Sequence, residues 1–289
     1  MKPHNFLLIG LPATGKTSFL AALWNSIQQG KVNTALELKR LDGDSAYLNK
    51  ICDAWLGYEP VGRNQTDIET FVSMWLKERN GDHEIHLTFP DTSGETFKQQ
   101  WASRHLTESY QNCIKSADGG ILFIHPKSLA QPLRISQIAA LAGLVEQDEE
   151  ESAAEAKTPN PPTTPWDIEK APTQVQTVEL LQFLAANQYF RAPFKLAIVV
   201  SAWDEVVASK ISPSVWVQQQ LPLLAQYLSS QSDKFTVSYY GVSAQGGKYD
   251  GKDLDALQAK HPAERIQIVG EGVENPHDIT EPLLWLMKH

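Results

Sequence analysis

Cysteine is scarce in this chain, with only Cys52 and Cys113 among 289 residues. Two distant cysteines exclude a disulfide framework, and their spacing is not that of a metal site. Basic residues are also few: 25 Lys and Arg stand against 34 Asp and Glu, which gives a formal net charge of −9. This balance argues against nucleic acid and anionic membranes as partners, because both attract clustered cations.

Long apolar runs are missing as well. No run approaches the roughly 18 residues that a membrane-spanning helix needs. The apolar start at residues 6–9 is brief and Lys16 follows soon after, so we interpret it as a buried first strand and not as a secretory signal. We therefore expect a cytoplasmic protein, whose hydrophobic content of 42% is enough for a sizeable core.

Short apolar segments alternate with segments of helical periodicity. This pattern predicts an α/β protein, a three-layer sandwich whose mostly parallel six-stranded sheet has one antiparallel strand. Asn80 and Gly81 lie between two strands and predict the antiparallel hairpin. The predicted strands are residues 6–9, 69–76, 84–89, 121–124, 196–200 and 236–242. One predicted helix begins after residue 17. The others are residues 45–55, 99–116, 128–145, 175–187, 213–229 and 280–288.

Residues 146–173 differ from the rest of the chain in composition. They are acidic at first, then proline-rich, and have little apolar content. Such a segment cannot bury enough apolar surface to fold, so we expect a mobile insertion. The remainder predicts a single domain across residues 1–289.

Residues 10–17, GLPATGKT, carry the first chemical motif. The pattern GxxxxGK[ST] between a strand and a helix is typical of a phosphate-binding loop. Gly10 and Gly15 allow the backbone to curl so that its N–H groups surround phosphate oxygens. Lys16 would then reach the β- and γ-phosphates and the Thr17 hydroxyl would bind Mg²⁺. The other loop residues expected to contact a nucleoside triphosphate are Ala13, Thr14 and Ser18.

Three later strands also end in residues that suit a nucleotide. Asp91 begins the segment DTSG, where a carboxylate can hold Mg²⁺-bound water and the Gly94 N–H can meet the γ-phosphate. Asp204 ends the segment SAWD and can accept hydrogen bonds from the N1–H and N2 edge of guanine, or it can simply cap a helix. Trp203 would lie beside that base. Ser243 and Ala244 follow the last strand, and the Ala244 N–H would meet the guanine O6.

The ordered set GLPATGKT, DTSG, SAWD and VSA resembles the P-loop GTPases of the translation-factor and Ras-like class. More narrowly, LPATGKTSFLAALW, SAWD, YYGVSAQGG and HDITEP are similar to a bacterial double-GTPase group. The resemblance covers nearly the whole chain outside residues 146–173. It implies a Ras-like G domain that binds GTP or GDP with Mg²⁺, hydrolyses GTP and acts as a molecular switch. The implied partner is a protein effector or a second GTPase, in a homodimer or a heterodimer.

The resemblance also implies a switch threonine and allows a built-in arginine. Thr66 matches the threonine that binds Mg²⁺ and the γ-phosphate, while Thr70 is an alternative inside a predicted strand. Arg63, three residues before Thr66, matches the arginine that heterotrimeric G-protein α subunits use in catalysis. It is otherwise an ordinary surface arginine, and Arg104 is another candidate for the catalytic arginine.

Two departures from the family pattern bear on activity. Ser201 and Ala202 stand where the base-reading motif begins with Asn-Lys, so Ser201 can supply a hydroxyl but no lysine stem covers the purine. Glu95 follows Gly94, where many Ras-like enzymes have glutamine, and its carboxylate would act as a base or repel the γ-phosphate. Three hypotheses follow: a GTPase, an adaptor that binds GTP with little turnover, and an ATPase in which Asp204 is only a cap.

Overall fold

One eight-stranded sheet lies at the centre of the protein. The structure is a computed structural model that describes residues 4–42, 45–60, 70–91, 103, 105–132, 170–186 and 192–288. In chain order the strands are β1 His4–Ile9, β2 Leu36–Asp42, β3 Thr70–Glu78, β4 Glu84–Asp91, β5 Gly119–Ile124, β6 Phe194–Ser201, β7 Phe235–Ser243 and β8 Gln267–Gly270. Across the sheet their order is β2-β3-β4-β1-β5-β6-β7-β8.

The middle of the sheet is parallel. Strands β4, β1, β5, β6 and β7 pair in parallel, while β3 is antiparallel to both β2 and β4, and β8 is antiparallel to β7. Every residue of β5 is buried, as expected for a parallel strand that is covered on both faces. The predicted α/β class with a mostly parallel sheet is confirmed, and so is the antiparallel hairpin.

Within the described ranges the sheet has eight strands and not six, because it has one further strand at each edge. In β2 only the first of seven residues is buried, and charged residues occupy much of the rest. Strand β8 has four residues. An edge strand pairs on one side only and tolerates charge, so neither segment carries the apolar pattern that identifies inner strands.

Helices cover both faces of the sheet. They are α1 Lys16–Gln29, α2 Ala46–Leu56, α3 Glu108–Ser116, α4 Thr173–Ala186, α5 Pro213–Gln220, α6 Pro222–Ser230, α7 Gly251–Gln258, α8 Pro262–Arg265 and α9 Glu281–Met287. Alternate residues of β6 separate the two cores: Val199 packs with α1, α2 and α9, and Ile198 with α3 to α6. This is the predicted three-layer arrangement. None of the helices in the described ranges is both long and apolar enough to cross a membrane.

Some helix boundaries differ from the sequence predictions. Residues 213–229 form two helices, because Pro222 has no N–H to continue α5 and instead begins α6. Residues 105–107 of the predicted helix 99–116 are not helical, and helix α3 begins at Glu108, where the Thr107 side chain accepts a hydrogen bond from the Tyr110 N–H and caps it. Helices α7 and α8 were not predicted. Residues 126–128 form a 3₁₀ turn and residues 129–132 are not helical, while the rest of that predicted helix and most of the predicted insertion lie outside the described residues.

Candidate functional site

The segment GLPATGKT is the loop that joins β1 to α1 at the carboxyl end of a central strand. In an open α/β sheet, this is the edge where ligands bind. Three of its residues have positive φ: Gly10 at 149°, Ala13 at 60° and Gly15 at 89°. Positive φ turns successive N–H groups in one direction, which is the arrangement that surrounds a phosphate.

Close packing also excludes a side chain at Gly10 and at Gly15. A Cβ on Gly15 would lie 2.9 Å from both Cβ and Oγ of Ser201, and a Cβ on Gly10 would lie 2.9 Å from the carbonyl oxygen of Phe123. The loop is therefore pressed against the ends of β5 and β6. Through this contact the phosphate loop directly touches the SAWD segment.

The ammonium group of Lys16 lies inside the curve of the loop. Its Nζ donates to the carbonyl oxygens of Gly10 and Leu11, each at 2.8 Å, and the Thr14 hydroxyl also donates to Leu11 at 2.8 Å. The cap residue Gly15 has no side-chain acceptor, and the first turn of α1 contains no acidic residue. The positive end of the helix and the lysine charge thus coincide, which suits a phosphate group.

Thr17 and Asp91 occupy neighbouring positions in the fold. Thr17 and Ser18 are in the first turn of α1, and Asp91 is the last residue of β4, the strand that pairs in parallel with β1. Hydroxyl and carboxylate oxygens are the kind of ligand that Mg²⁺ prefers. Thr70 is the first residue of β3, opposite Asp91 in the hairpin. The predicted residues Arg63, Thr66, Gly94 and Glu95, and the alternative Arg104, lie outside the described residues.

Asp204 follows β6, Ser243 is the last residue of the adjacent parallel strand β7, and the two side chains are hydrogen-bonded to each other. The Ser243 hydroxyl donates to Oδ1 of Asp204 and accepts from the Gly246 N–H at 3.0 Å. Asp204 lies inside a short 3₁₀ turn, and the cap of the following helix α5 is Ser212. The carboxylate is therefore held by the β7 loop and does not cap a helix.

A cavity of about 300 Å³ opens beside this pair. Asp204, Glu205, Lys248, two glycines at positions 246 and 247, and one face of α7 line it. It is large enough for a purine base. In addition, the Trp55 Nε1–H of α2 donates to the Ala244 carbonyl at 3.0 Å, so the outer side of the loop after β7 is anchored.

Trp203 and Ser201 have structural contacts. The Trp203 side chain is 3% exposed and packs flat on β7, where a Cβ on Gly241 would lie 2.2 Å from the indole. It is not among the residues that line the cavity, and its place beside the base stays a prediction. The Ser201 hydroxyl donates to the Ile124 carbonyl at 3.1 Å and Ala202 turns the chain with φ of 46°.

A charged group next to Asp204 carries no sequence motif and was missed. Lys127 Nζ lies 2.6 Å from Oε1 of Glu205, and this hydrogen bond lowers the pKa of the glutamate. Burial lowers the pKa of His125, and the Lys127 charge acts in the same direction. Only the position of His125 and Lys127 after a buried strand could have pointed to them.

Comparison with known proteins gives one family and several distant structures. A comparison with the curated proteins finds no match. Among solved structures, the chain is similar to Methanosarcina barkeri Roco2 RocCORdC bound to GDP, with 13% identity, 89% of this chain and 47% of that chain covered, and a TM-score of 0.33. The GTP-bound Ski7 GTPase-like domain of S. cerevisiae is 13% identical, with 98% of this chain and 49% of that chain covered and a TM-score of 0.40. The signal recognition particle receptor SRb-GTP/SRX complex from Chaetomium thermophilum is 14% identical, with 87% of this chain and 94% of that chain covered and a TM-score of 0.37.

The chain thus spans about half the length of the first two of these structures, and similarity at this level carries no conclusion about function. The family comparison is different, because the model of the family Double-GTPase 1 matches residues 7–286, which is nearly the whole chain. The match includes the phosphate loop and the Asp204 and Ser243 segments described above. With its P-loop, its mostly parallel sheet and this match, the chain belongs to the Double-GTPase 1 family of P-loop GTPases.

Proposed function

We propose that this protein binds GTP with Mg²⁺ and hydrolyses it to GDP and phosphate as a molecular switch. The observation that carries the proposal is the joining of two loops at one sheet edge. The phosphate loop touches the SAWD segment through Gly15 and Ser201. Asp204 in that segment is hydrogen-bonded to Ser243 and lines a cavity of about 300 Å³.

The phosphates would be held by the loop and its lysine. The N–H groups of residues 10–18 would donate to the phosphate oxygens, and Lys16 would exchange its bonds to the Gly10 and Leu11 carbonyls for the β- and γ-phosphates. Thr17, Thr66 and Asp91 would hold Mg²⁺, whose charge offsets that of the phosphate oxygens.

Base recognition would depend on Asp204. Its carboxylate would accept hydrogen bonds from guanine N1–H and N2–H, which adenine does not offer as a pair, and the Ala244 N–H would donate to O6. Ser243, Ser201 and Trp203 would position these groups. This assignment favours a GTPase over an ATPase, because Asp204 caps no helix in the described part of the chain.

The hydrolytic step would involve residues of the two predicted switch segments. The Gly94 N–H would donate to the γ-phosphate, Glu95 would orient or deprotonate the attacking water, and Arg63 would stabilise the charge that develops during transfer. Glu95 also supports the second candidate, an adaptor that binds GTP with little turnover, because a carboxylate near the γ-phosphate repels it. In either role we propose a protein effector or a second GTPase as the partner, in the cytoplasm.

Phosphate release from GTP in the presence of Mg²⁺ tests the hydrolytic proposal. We expect steady turnover by the wild-type protein and a loss of about a thousandfold in Arg63→Ala, which is the usual size of an arginine contribution to phosphoryl transfer. Arg104→Ala is the matched comparison and should retain the wild-type rate.

Three other results have distinct meanings. A wild-type rate in Arg63→Ala would remove the catalytic role of Arg63, and a loss in Arg104→Ala alone would transfer that role to Arg104. GTP binding by the wild-type protein without phosphate release would favour the adaptor.

A further inference from the structure

Arg265, the last residue of α8, is a buried cation with no acidic partner in the described structure. Its residue exposure is 1%, and none of its three guanidinium nitrogens has a hydrogen-bond partner among the described residues. The guanidinium lies between two aromatic rings, with its carbon 4.6 Å from the ring centre of Trp55 and 4.6 Å from that of Tyr58.

This arrangement is unfavourable for stability alone. Burial lowers the pKa of Arg265, but an arginine stays protonated in proteins, so the charge remains. Stacking on two aromatic faces offsets only part of the lost hydration, and an apolar side chain of similar size commonly replaces a buried ion without loss. A role beyond packing is therefore the better explanation for an arginine at this position.

Arg265 and the rings around it contact the loop that follows β7 at three points. The Trp55 Nε1–H donates to the Ala244 carbonyl at 3.0 Å. Gly246 packs against the Arg265 backbone, since a Cβ on Gly246 would lie 2.4 Å from the Arg265 carbonyl oxygen, and this contact does not depend on the guanidinium. The ring of Tyr249 meets that of Tyr58 edge to face, with centroids 5.4 Å apart.

The same loop sets the position of the Asp204 carboxylate. The Gly246 N–H donates to the Ser243 hydroxyl at 3.0 Å, and that hydroxyl donates to Oδ1 of Asp204. A continuous set of contacts therefore runs from the Arg265 guanidinium through Trp55 to the Ala244 carbonyl, and from the neighbouring Ser243 to Asp204. Any shift of the stack would change the direction in which this carboxylate accepts hydrogen bonds.

We propose that Arg265 is a positioning residue for base recognition: stacked between Trp55 and Tyr58, it holds the loop of residues 243–249 so that Asp204 meets both guanine donors. The inference rests on the proposed function, because it requires GTP to occupy the cavity beside Asp204. Arg265 does not touch the nucleotide in this account, and its effect should appear in nucleotide discrimination more than in stability.

The test compares the affinities of GTP and inosine triphosphate, which lacks the 2-amino group. We expect the wild-type protein to bind GTP at least about tenfold more tightly, because one charge-assisted hydrogen bond to Asp204 is missing with the inosine nucleotide. In Arg265→Met, which keeps the volume but removes the planar cation, this ratio should fall at least about threefold. A general loss of folded protein would lower both affinities equally and leave the ratio unchanged.

Arg40→Met is the matched control. The Arg40 guanidinium also lies 4.6 Å from a tryptophan ring, that of Trp75, but on the exposed edge of the sheet. This variant should keep the wild-type ratio. Trp55→Phe provides a second test, because it keeps a ring against Arg265 and removes the donor to Ala244 together with part of the indole volume, and it should also lower the ratio.

Each outcome has a definite meaning. An unchanged ratio in folded Arg265→Met or folded Trp55→Phe overturns the inference and leaves GTP binding intact. Failure of both variants to fold also overturns it, since Arg265 would then be needed only for the structure. A wild-type protein that binds GTP and inosine triphosphate equally contradicts positioning of Asp204, whereas one that binds no GTP contradicts the proposed function itself.

Discussion

At the scale of single residues, Gly15 combines two separate demands. Its φ of 89° is a conformation that side chains disfavour, and the space where a Cβ would lie is occupied by Ser201 at 2.9 Å. Gly30, at the other end of the same helix, has a φ of 60° but nothing within 4 Å of the place where its Cβ would lie. Substitution of Gly30 therefore measures backbone strain alone, whereas substitution of Gly15 measures backbone strain together with a steric clash.

We expect Gly30→Ala to lower the free energy of unfolding by about 1–2 kcal/mol, the usual penalty of a left-handed conformation. Gly15→Ala should cost a further 1–3 kcal/mol, approximately, because the added methyl forces Ser201 or the loop to move. It should also weaken GTP binding, whereas Gly30→Ala should not. Urea unfolding and nucleotide titration measure both effects, and equal losses in the two variants would show that the contact with Ser201 is unimportant.

At the scale of elements, the segment HDITEP, residues 277–282, connects the start of β2 to the start of α9. Asp278 is 2% exposed and its Oδ2 accepts from the Ala35 N–H at 2.6 Å, next to the start of β2. Its Oδ1 accepts from the Thr280 N–H at 2.9 Å and from the Thr280 hydroxyl at 2.6 Å, just before α9. One carboxylate thus holds an edge strand and the last helix together.

Asp278→Asn should therefore destabilise the protein by about 2–3 kcal/mol, because the amide nitrogen cannot accept and leaves a buried donor without a partner. The discrimination between GTP and inosine triphosphate should not change. Asp118→Asn is the comparison: Asp118 is only half-buried and accepts from the Asn5 N–H at 3.0 Å, so a smaller loss is expected. A change in nucleotide discrimination in Asp278→Asn would contradict a purely structural role.

How much the sequence predicts depends on whether the signal is local. Strands β5 and β6 contain continuous apolar runs and were recognised, as was the hairpin at Asn80 and Gly81. Strands β2 and β8 were missed, since an edge strand needs no continuous apolar run. Asp204 and Ser243 were found because each directly follows an apolar strand.

Contacts between distant residues were beyond the reach of the sequence. The bond from Trp55 to Ala244 joins residues 189 positions apart, and neither Arg265 nor Trp55 belongs to a motif. The assignment of Trp203 to the base stays a prediction, and the packing of its indole depends on Gly241 in the next strand. Side-chain direction is decided by packing, which one sequence alone does not reveal.

At the scale of the whole molecule, one edge of the sheet brings together the parts of the proposed site. Strands β4 and β7 end there at Asp91 and Ser243, and strands β1 and β6 are followed there by the phosphate loop and by Asp204. Helix α2 and the Arg265 stack then support the base side of the site from outside the sheet. Base choice should therefore depend on the fold and on one carboxylate.

Titration of the wild-type protein and of Asp204→Asn with GTP, ATP and xanthosine triphosphate tests this claim most directly. We predict that the wild-type protein prefers GTP. Asp204→Asn should prefer the xanthine nucleotide, because the asparagine amide accepts a hydrogen bond from N1–H and donates one to the O2 that replaces the 2-amino group. The change should be about tenfold or more in relative affinity. Preference of the wild-type protein for ATP, or unchanged GTP affinity in Asp204→Asn, would contradict it.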